Sequence, residues 1–232
     1  QLGLIARPAP VTDDEAIAAA VAAARTADVA IVVVGTTANE ETESRDRTTL
    51  RLPGAQDALV AAVAAVARRT VVVVNAATPV LMPWLDQVDA VLVAGLPGQE
   101  GGRAVAAVLL GDAEPAGRLA TTWPSADGAA PGWQVVPTDG VLAYAEGALP
   151  GYRGHAAGLA PVPLAWFGEG LGWGRWAYDD ARRDDAGDAP TVSVTLRNTG
   201  PRPSREVVQV YLRPADASRP TRLVGWAPAQ VE

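Results

Sequence analysis

Three short runs of aliphatic residues constrain this chain more than any other feature: Ala30–Val34 (AIVVV), Thr70–Asn75 (TVVVVN) and Ala90–Ala94 (AVLVA). None of them alternates apolar with polar. All three read as strands, the first two buried on both faces of a sheet, because β-branched side chains fill a pleated surface without leaving a solvent side. Alanine-rich stretches with a helical period separate them. Thr12 or Asp13 caps a helix running to about Arg25, with Ile17 and Val21 one turn apart on its inner face. Pro53-Gly54 opens a second helix, AQDALVAAVAAVARR, whose Leu59, Val60, Val63 and Val66 make one stripe. A third helix runs to about Leu110, with Val105, Val108 and Leu109 inward and Gly111 as its C-cap. Pro79–Trp84 reads as a turn with an aromatic anchor, and Arg118–Trp123 (RLATTW) as one further strand. Strands alternating with helices predict an α/β class: a parallel sheet covered on both faces, an α/β/α sandwich.

Right-handed crossovers put the carboxyl ends of all parallel strands on one edge. Ligands bind at that edge in open α/β sheets. The loop after the first strand, TTANEETESRDR, carries Glu40, Glu41, Glu43 and Asp46 beside Arg45 and Arg47. It is the candidate reaction centre. The loop at Ala76–Thr78 and the loop GLPGQEGG at Gly95–Gly102 are expected on the same edge, so that Glu43 and Glu100 face one cleft.

The second part of the chain has a different grammar. Pro124–Leu164 dissolves into Pro, Gly and Ala with scattered aromatics, too long for an ordinary connection and therefore functional or domain-bridging. After about Trp173, TVSVTLRNTG alternates, turns at Asn198-Thr199-Gly200, and is followed by EVVQVYLRP. These predict short antiparallel strands of an all-β sandwich. A seven-stranded sandwich takes about 100 residues, which the tail does not have. Residues 1–11, with Pro8 and Pro10, read as an incoming linker. The first residue is Gln1 rather than Met, and the end at TRLVGWAPAQVE has no closing element, so truncation at both ends is expected.

Composition excludes several classes. A net charge of -7 leaves nothing to neutralise a phosphate backbone, so no nucleic-acid partner is expected. The absence of cysteine removes disulfides and thiolate metal sites, and permits a cytoplasmic or an exported protein, the former the first choice. No apolar run reaches the 18 or so residues of a membrane span, so no membrane partner is expected.

Several motifs together resemble glycoside hydrolase family 3. Glu41–Gln56 (ETESRDRTTLRLPGAQ) is similar to its E-S-E-G-x-D-R…L-x-LPG-x-Q signature. Val71–Trp84, Gly95–Pro124, YAEGALPGYR at Tyr144–Arg153 and WFGEGLGWGRWAY at Trp166–Tyr178 resemble further family segments in the same order. NTGPRPSREVVQVYLRP resembles the start of the family's fibronectin type III-like domain. The resemblance implies a C-terminal α/β sandwich domain over residues 1–170 and an incomplete fibronectin type III-like domain over 171–232. It also implies an N-terminal (β/α)8 barrel in the same protein, outside this chain. Family members are mostly β-glucosidases acting by retention on terminal β-linked sugars, without cofactor or metal. Their nucleophile is an aspartate on the barrel, and their general acid/base is a glutamate on a loop of the sandwich domain. On this sequence that glutamate matches Glu43, with Glu41 and Glu40 as alternatives because the loop varies in length. The family usually has Gly after the glutamate, where this chain has Ser44; glycine permits a positive φ that serine adopts only at a cost.

Plainer readings stand beside these. Charge runs are usually solvated faces, so Glu43 need not be catalytic without the resemblance. Asp46 and Arg47 read as a local pair bracing the loop. Glu100 reads as a helix cap favoured by the dipole. Gly98, Gly101 and Gly102 lack the Lys-Ser/Thr or G-x-G-x-x-G context of a nucleotide loop. His155, the one histidine, reads as incidental. Trp84 and Trp123 read as core or interface anchors, and Trp133 and Trp166 as the better candidates for sugar stacking. Tyr144, Glu146, Tyr152 and Arg153 read as packing the linker. Two functions follow: a piece of a retaining β-glucosidase-like exo-hydrolase, or a non-catalytic module that binds sugar or stabilises a neighbour.

Overall fold

The computed structural model describes residues 12–216 and 219–231; the linker expected at 1–11 lies outside them. The chain forms two units, 1–99 and 100–232.

The first unit is an α/β layer. Helix α1 (Asp13–Ala24) begins at Thr12, whose side chain accepts from the Glu15 amide while Glu15 reaches back to the Thr12 backbone. This reciprocal box satisfies two donors that a helix start leaves free. Strands β1 (Ala30–Gly35), β2 (Thr70–Asn75) and β3 (Ala90–Val93) form a parallel sheet in the order β1-β2-β3. Helix α2 (Gln56–Ala64) ends five residues before the run suggests (69 − 64), and it lies against β1 and β2 with Val60 and Val63 buried. Trp84 is buried and donates its indole N–H to Asp57 Oδ1 of α2 at 2.8 Å. It is the core anchor its turn suggests, with its polar edge satisfied.

The expectation of strands buried on both faces holds for β2 and fails for β1. Val72, Val73 and Val74 are all buried, and burying each contributes about 1.5–3 kcal/mol. In β1, Val32 and Val34 are buried, whereas Ile31 and Val33 are 52% and 64% exposed. The reason is position: β2 is central, and β1 is an edge strand packed on one side.

The second unit starts with α3 (Gly101–Leu110), closed by Gly111 in the left-handed conformation at φ 82°. Val105, Val108 and Leu109 are half-buried, as the stripe predicts. Arg118–Trp123 is not a strand. It meets the 165–169 segment at separate points: Trp123 bridges Ala165, and Leu119 exchanges backbone bonds of 2.8 Å with Gly168 and Glu169. Pro115 and Gly117 precede it, and no continuous ladder forms. The long irregular stretch contains the short helix α4 (Tyr152–Ala156). The tail is antiparallel. Strands β4 (Trp176–Asp184) and β5 (Thr191–Asn198) make one sheet, and β6 (Ser204–Leu212) and β7 (Arg222–Val231) another. The turn at Asn198–Gly200 therefore joins two sheets and does not close a hairpin. Asn198 holds it, accepting from the Gly200 amide at 2.9 Å and donating to the Arg202 carbonyl at 2.6 Å. A bulge with Asp180 at φ 50° interrupts β4.

Three contacts tie this unit together. Tyr152 stacks on Phe167 at 5.2 Å and meets the edge of Tyr211 at 5.9 Å, while its hydroxyl accepts from the Leu223 amide. Arg118 forms a largely buried ion pair with Glu206 and also donates to the Gly170 carbonyl. Glu114, in the loop after α3, accepts from the Trp173 amide, the Ser204 hydroxyl and the Arg205 amide.

Burial alone pushes the Glu114 carboxyl up, but those three donors and Arg118 together outweigh it and hold it below the ordinary value of 4.5. A depressed folded-state value means that the ionised form stabilises the fold above the unfolded pKa and stops doing so as pH falls through the folded one. The stability gap between the wild type and Glu114→Gln should therefore be constant near neutrality and narrow below pH 4.5, read from urea midpoints across pH.

Candidate active site

The acidic loop leaves β1 at Gly35, where a side chain is impossible: a Cβ there would lie 2.2 Å from the Asn75 carbonyl oxygen. Thr36 then donates its amide to that same oxygen at 3.2 Å, extending the pairing one residue past the strand. The loop returns to Pro53. Gln56, at the first position of α2, closes it. Its Oε1 accepts from the Gly35 amide at 2.8 Å, and its Nε2 donates to the Gly35 and Pro53 carbonyls at 2.9 Å each. One side-chain amide thus holds both ends of the loop. Buried Leu52 and the bond from the Leu81 amide to the Leu50 carbonyl seat the returning arm.

Within the loop, the acids have unequal tasks. Glu40 Oε2 accepts from the Thr37 hydroxyl at 2.6 Å and the Thr37 amide at 2.9 Å, forming a local turn. Those two bonds hold the Glu40 carboxyl below its ordinary range. Glu41 Oε1 accepts from the Thr36 hydroxyl at 2.5 Å and the Ala77 amide at 2.8 Å. Arg45 donates to the Asn39 carbonyl. Arg47 donates to Thr78 Oγ1 at 2.7 Å, to the Pro79 carbonyl at 3.4 Å and to the Arg51 carbonyl at 3.3 Å. The expected Asp46–Arg47 fork does not form; Arg47 braces the loop through the segment after β2 instead. Glu43 is exposed, and neither its carboxylate nor that of Asp46 has a bonded partner among the described residues.

Ser44 stands at φ 69°, in the left-handed region. For an L-residue other than glycine this costs roughly 1–2 kcal/mol. The residue after Glu43 thus takes up the conformation glycine would adopt freely.

The other candidates belong to the second unit. Glu100 caps α3 in the second unit, exposed, with no side-chain cap bond and 3.9 Å from Arg103. His155 is buried, its Nδ1 lies 2.6 Å from the Pro161 carbonyl, and its ring meets the edge of Trp166. Trp166 is itself half-buried. Trp123 is buried, Trp133 is half-buried and Tyr144 is exposed. Among the described residues, no group of three or more His, Asp or Glu side chains is arranged to hold a metal. A cavity of about 390 Å³ in the second unit is lined by Arg118, Phe167, Glu169, Tyr178, Glu206 and Gln209, among others. Arg118 pairs there with Glu206, and Gln209 with the Gly168 carbonyl and the Tyr211 hydroxyl, while the buried Nε of Arg118 has no hydrogen-bond partner among the described residues. Burial and then the charge of Glu206 push the Tyr178 phenol up.

The glycosyl hydrolase family 3 C-terminal domain matches residues 6–173. The chain belongs to this family. A β-glucosidase of Rhizobium radiobacter is 42% identical over 88% of the chain and 26% of that relative. Thermostable β-glucosidase B of Acetivibrio thermocellus is 39% identical over 89% and 28%. Among solved structures, DesR, a β-glucosidase from Streptomyces venezuelae in complex with D-glucose, superposes with a TM-score of 0.85 at 35% identity, covering 94% of this chain and 29% of that one. The β-glucosidase of Kluyveromyces marxianus gives 0.90 at 33% identity, covering 96% and 27%. The family 3 chain thus spans about a quarter of the length of the relatives it matches.

Sequence reasoning placed the acidic loop and missed its fastenings. The signal for one was present: the glutamine that ends the LPG-x-Q pattern is Gln56, the residue that ties the loop closed.

Removing the Ser44 side chain should relieve the strained torsion. Ser44→Gly is expected to raise the urea midpoint by an amount worth about 1 kcal/mol or less, and Ser44→Val to lower it, since a β-branched residue fits that region worst.

Proposed function

We propose that this chain is the acid/base-bearing part of a retaining β-glucosidase, with Glu43 as the proton donor and acceptor. The free carboxylate of Glu43 at the tip of a fastened loop carries this reading. Glu40 serves two donors within the loop and Glu41 one in the loop and one past β2, and the depressed Glu40 carboxyl is the wrong kind of group to hold a proton near neutrality. The β-glucosidase relatives and the family's retaining chemistry supply the reaction class.

Retention needs two carboxyl groups about 5 Å apart, one attacking the anomeric carbon and one protonating the departing oxygen. In this reading the attacking aspartate lies on an N-terminal barrel of the same protein. Glu43 gives its proton to the glycosidic oxygen as the bond to the anomeric carbon breaks and the aspartate bonds to that carbon. In the second step the Glu43 carboxylate takes a proton from water as the water displaces the aspartate. The substrate is a β-glucoside or a related β-linked sugar bearing a terminal non-reducing residue. Residues 171–232, with their two antiparallel pairs and sheet-switching turn, are read as the opening part of a fibronectin type III-like domain.

The rival reading, a non-catalytic sugar-binding module, would use the cavity of the second unit. Its aromatic lining fits a sugar, but Glu206 and Gln209 are already tied to protein groups there and Glu43 is not, so the catalytic reading stands first.

The test is a leaving-group series in the polypeptide carrying this chain and its barrel. Glu43→Gln should lower hydrolysis of alkyl β-glucosides by roughly 10²–10⁴-fold and spare activated aryl glucosides at the glycosylation step. Equal loss on both, or none, rejects Glu43 as the donor. Residues 1–232 alone should not hydrolyse aryl glucosides.

A further inference from the structure

Resting on the assignment of Glu43, we infer that Glu41 is a positioning residue that fixes where the Glu43 carboxylate sits. Glu41 Oε1 takes two donors from different strand ends: the hydroxyl of Thr36, the first residue past β1, and the amide of Ala77, two residues past β2. A single oxygen therefore couples the exits of two neighbouring parallel strands. On the returning arm, Arg47 reaches the same stretch, bonding Thr78 Oγ1 and the Pro79 carbonyl. Glu43 and the strained Ser44 lie between these two fastenings, so the segment 77–79 acts as the rail on which the tip is mounted. The two arms are not equivalent. Glu41 is two residues from Glu43 (43 − 41) and Arg47 is four (47 − 43), so the Glu41 bond limits the tip more tightly. Turning Glu41 toward a substrate would break both of its bonds and free the Ala77 amide. Its geometry thus assigns it to the frame of the site, and the same acceptor arrangement is available to a glutamine.

The experiment compares Glu41→Ala with Glu41→Gln in the polypeptide carrying this chain and its barrel, with Glu43→Gln measured alongside. Loss of the fastening in Glu41→Ala should lower kcat on alkyl glucosides roughly 10- to 100-fold with little change in KM. The acidic group's limb of the pH–rate profile should persist, and amide exchange at Ala77 should accelerate. Glu41→Gln, whose side-chain oxygen still accepts from both donors, should recover most of the rate and the Ala77 protection. Three results overturn the inference. Glu41→Gln as slow as Glu41→Ala, with that limb lost, would make Glu41 the proton donor. Unchanged Ala77 exchange in Glu41→Ala would remove the fastening. A kcat within about threefold of wild type in Glu41→Ala would remove its effect on the tip. Should Glu43→Gln keep the wild-type leaving-group profile, the assignment of Glu43 falls, and the Ala77 exchange still decides the fastening by itself.

Discussion

Close parallel registry between β1 and β2 is the constraint on which the acid loop depends. Gly35 lies opposite Asn75 at a spacing that no side chain tolerates, so the two strands end level with each other. Level ends bring Thr36 and Ala77 within reach of one carboxylate, and Arg47 within reach of Thr78. A register slip by one residue would turn every side chain of β1 to the opposite face and separate these pairs. Burial of Val32, Val34, Val72 and Val74 holds the register, so the hydrophobic layer fixes the polar geometry above it.

Much of this frame was legible in the sequence. The aliphatic runs, the Thr12 cap, the Val60/Val63 stripe and the Gly111 stop each follow from local rules that tertiary packing did not override. What failed depended on long-range neighbours. The run in β1 looks the same as the run in β2, yet one strand is at an edge and the other is central, and composition cannot tell them apart. Arg118–Trp123 has strand-like residues, but its partner at 165–169 meets it only at isolated points. The turn at Asn198–Gly200 was readable as a turn; that it joins two sheets was not, because hairpin and crossing turns share the same residue types.

The loop itself divides the same way. Four acids on a post-strand loop mark a place for chemistry, and family resemblance singles out Glu43. The task of Glu41 comes from a bond with Ala77, 36 positions on, and that of Arg47 from a bond with Thr78, 31 positions on, which no spacing rule encodes. Ser44 is the informative exception. Its departure from glycine flags a torsion, and that torsion is present at φ 69°.

The way the loop is fastened has a consequence for how it can change. Its bonds gather at Glu40, Glu41, Arg45 and Arg47, while the side chains of Thr42, Glu43 and Asp46 have none among the described residues. Variation at positions 42 and 46, both exposed, therefore changes the outer face of the loop without loosening the base beneath it. For anyone reshaping this loop, these two sites are where diversity disturbs folding least.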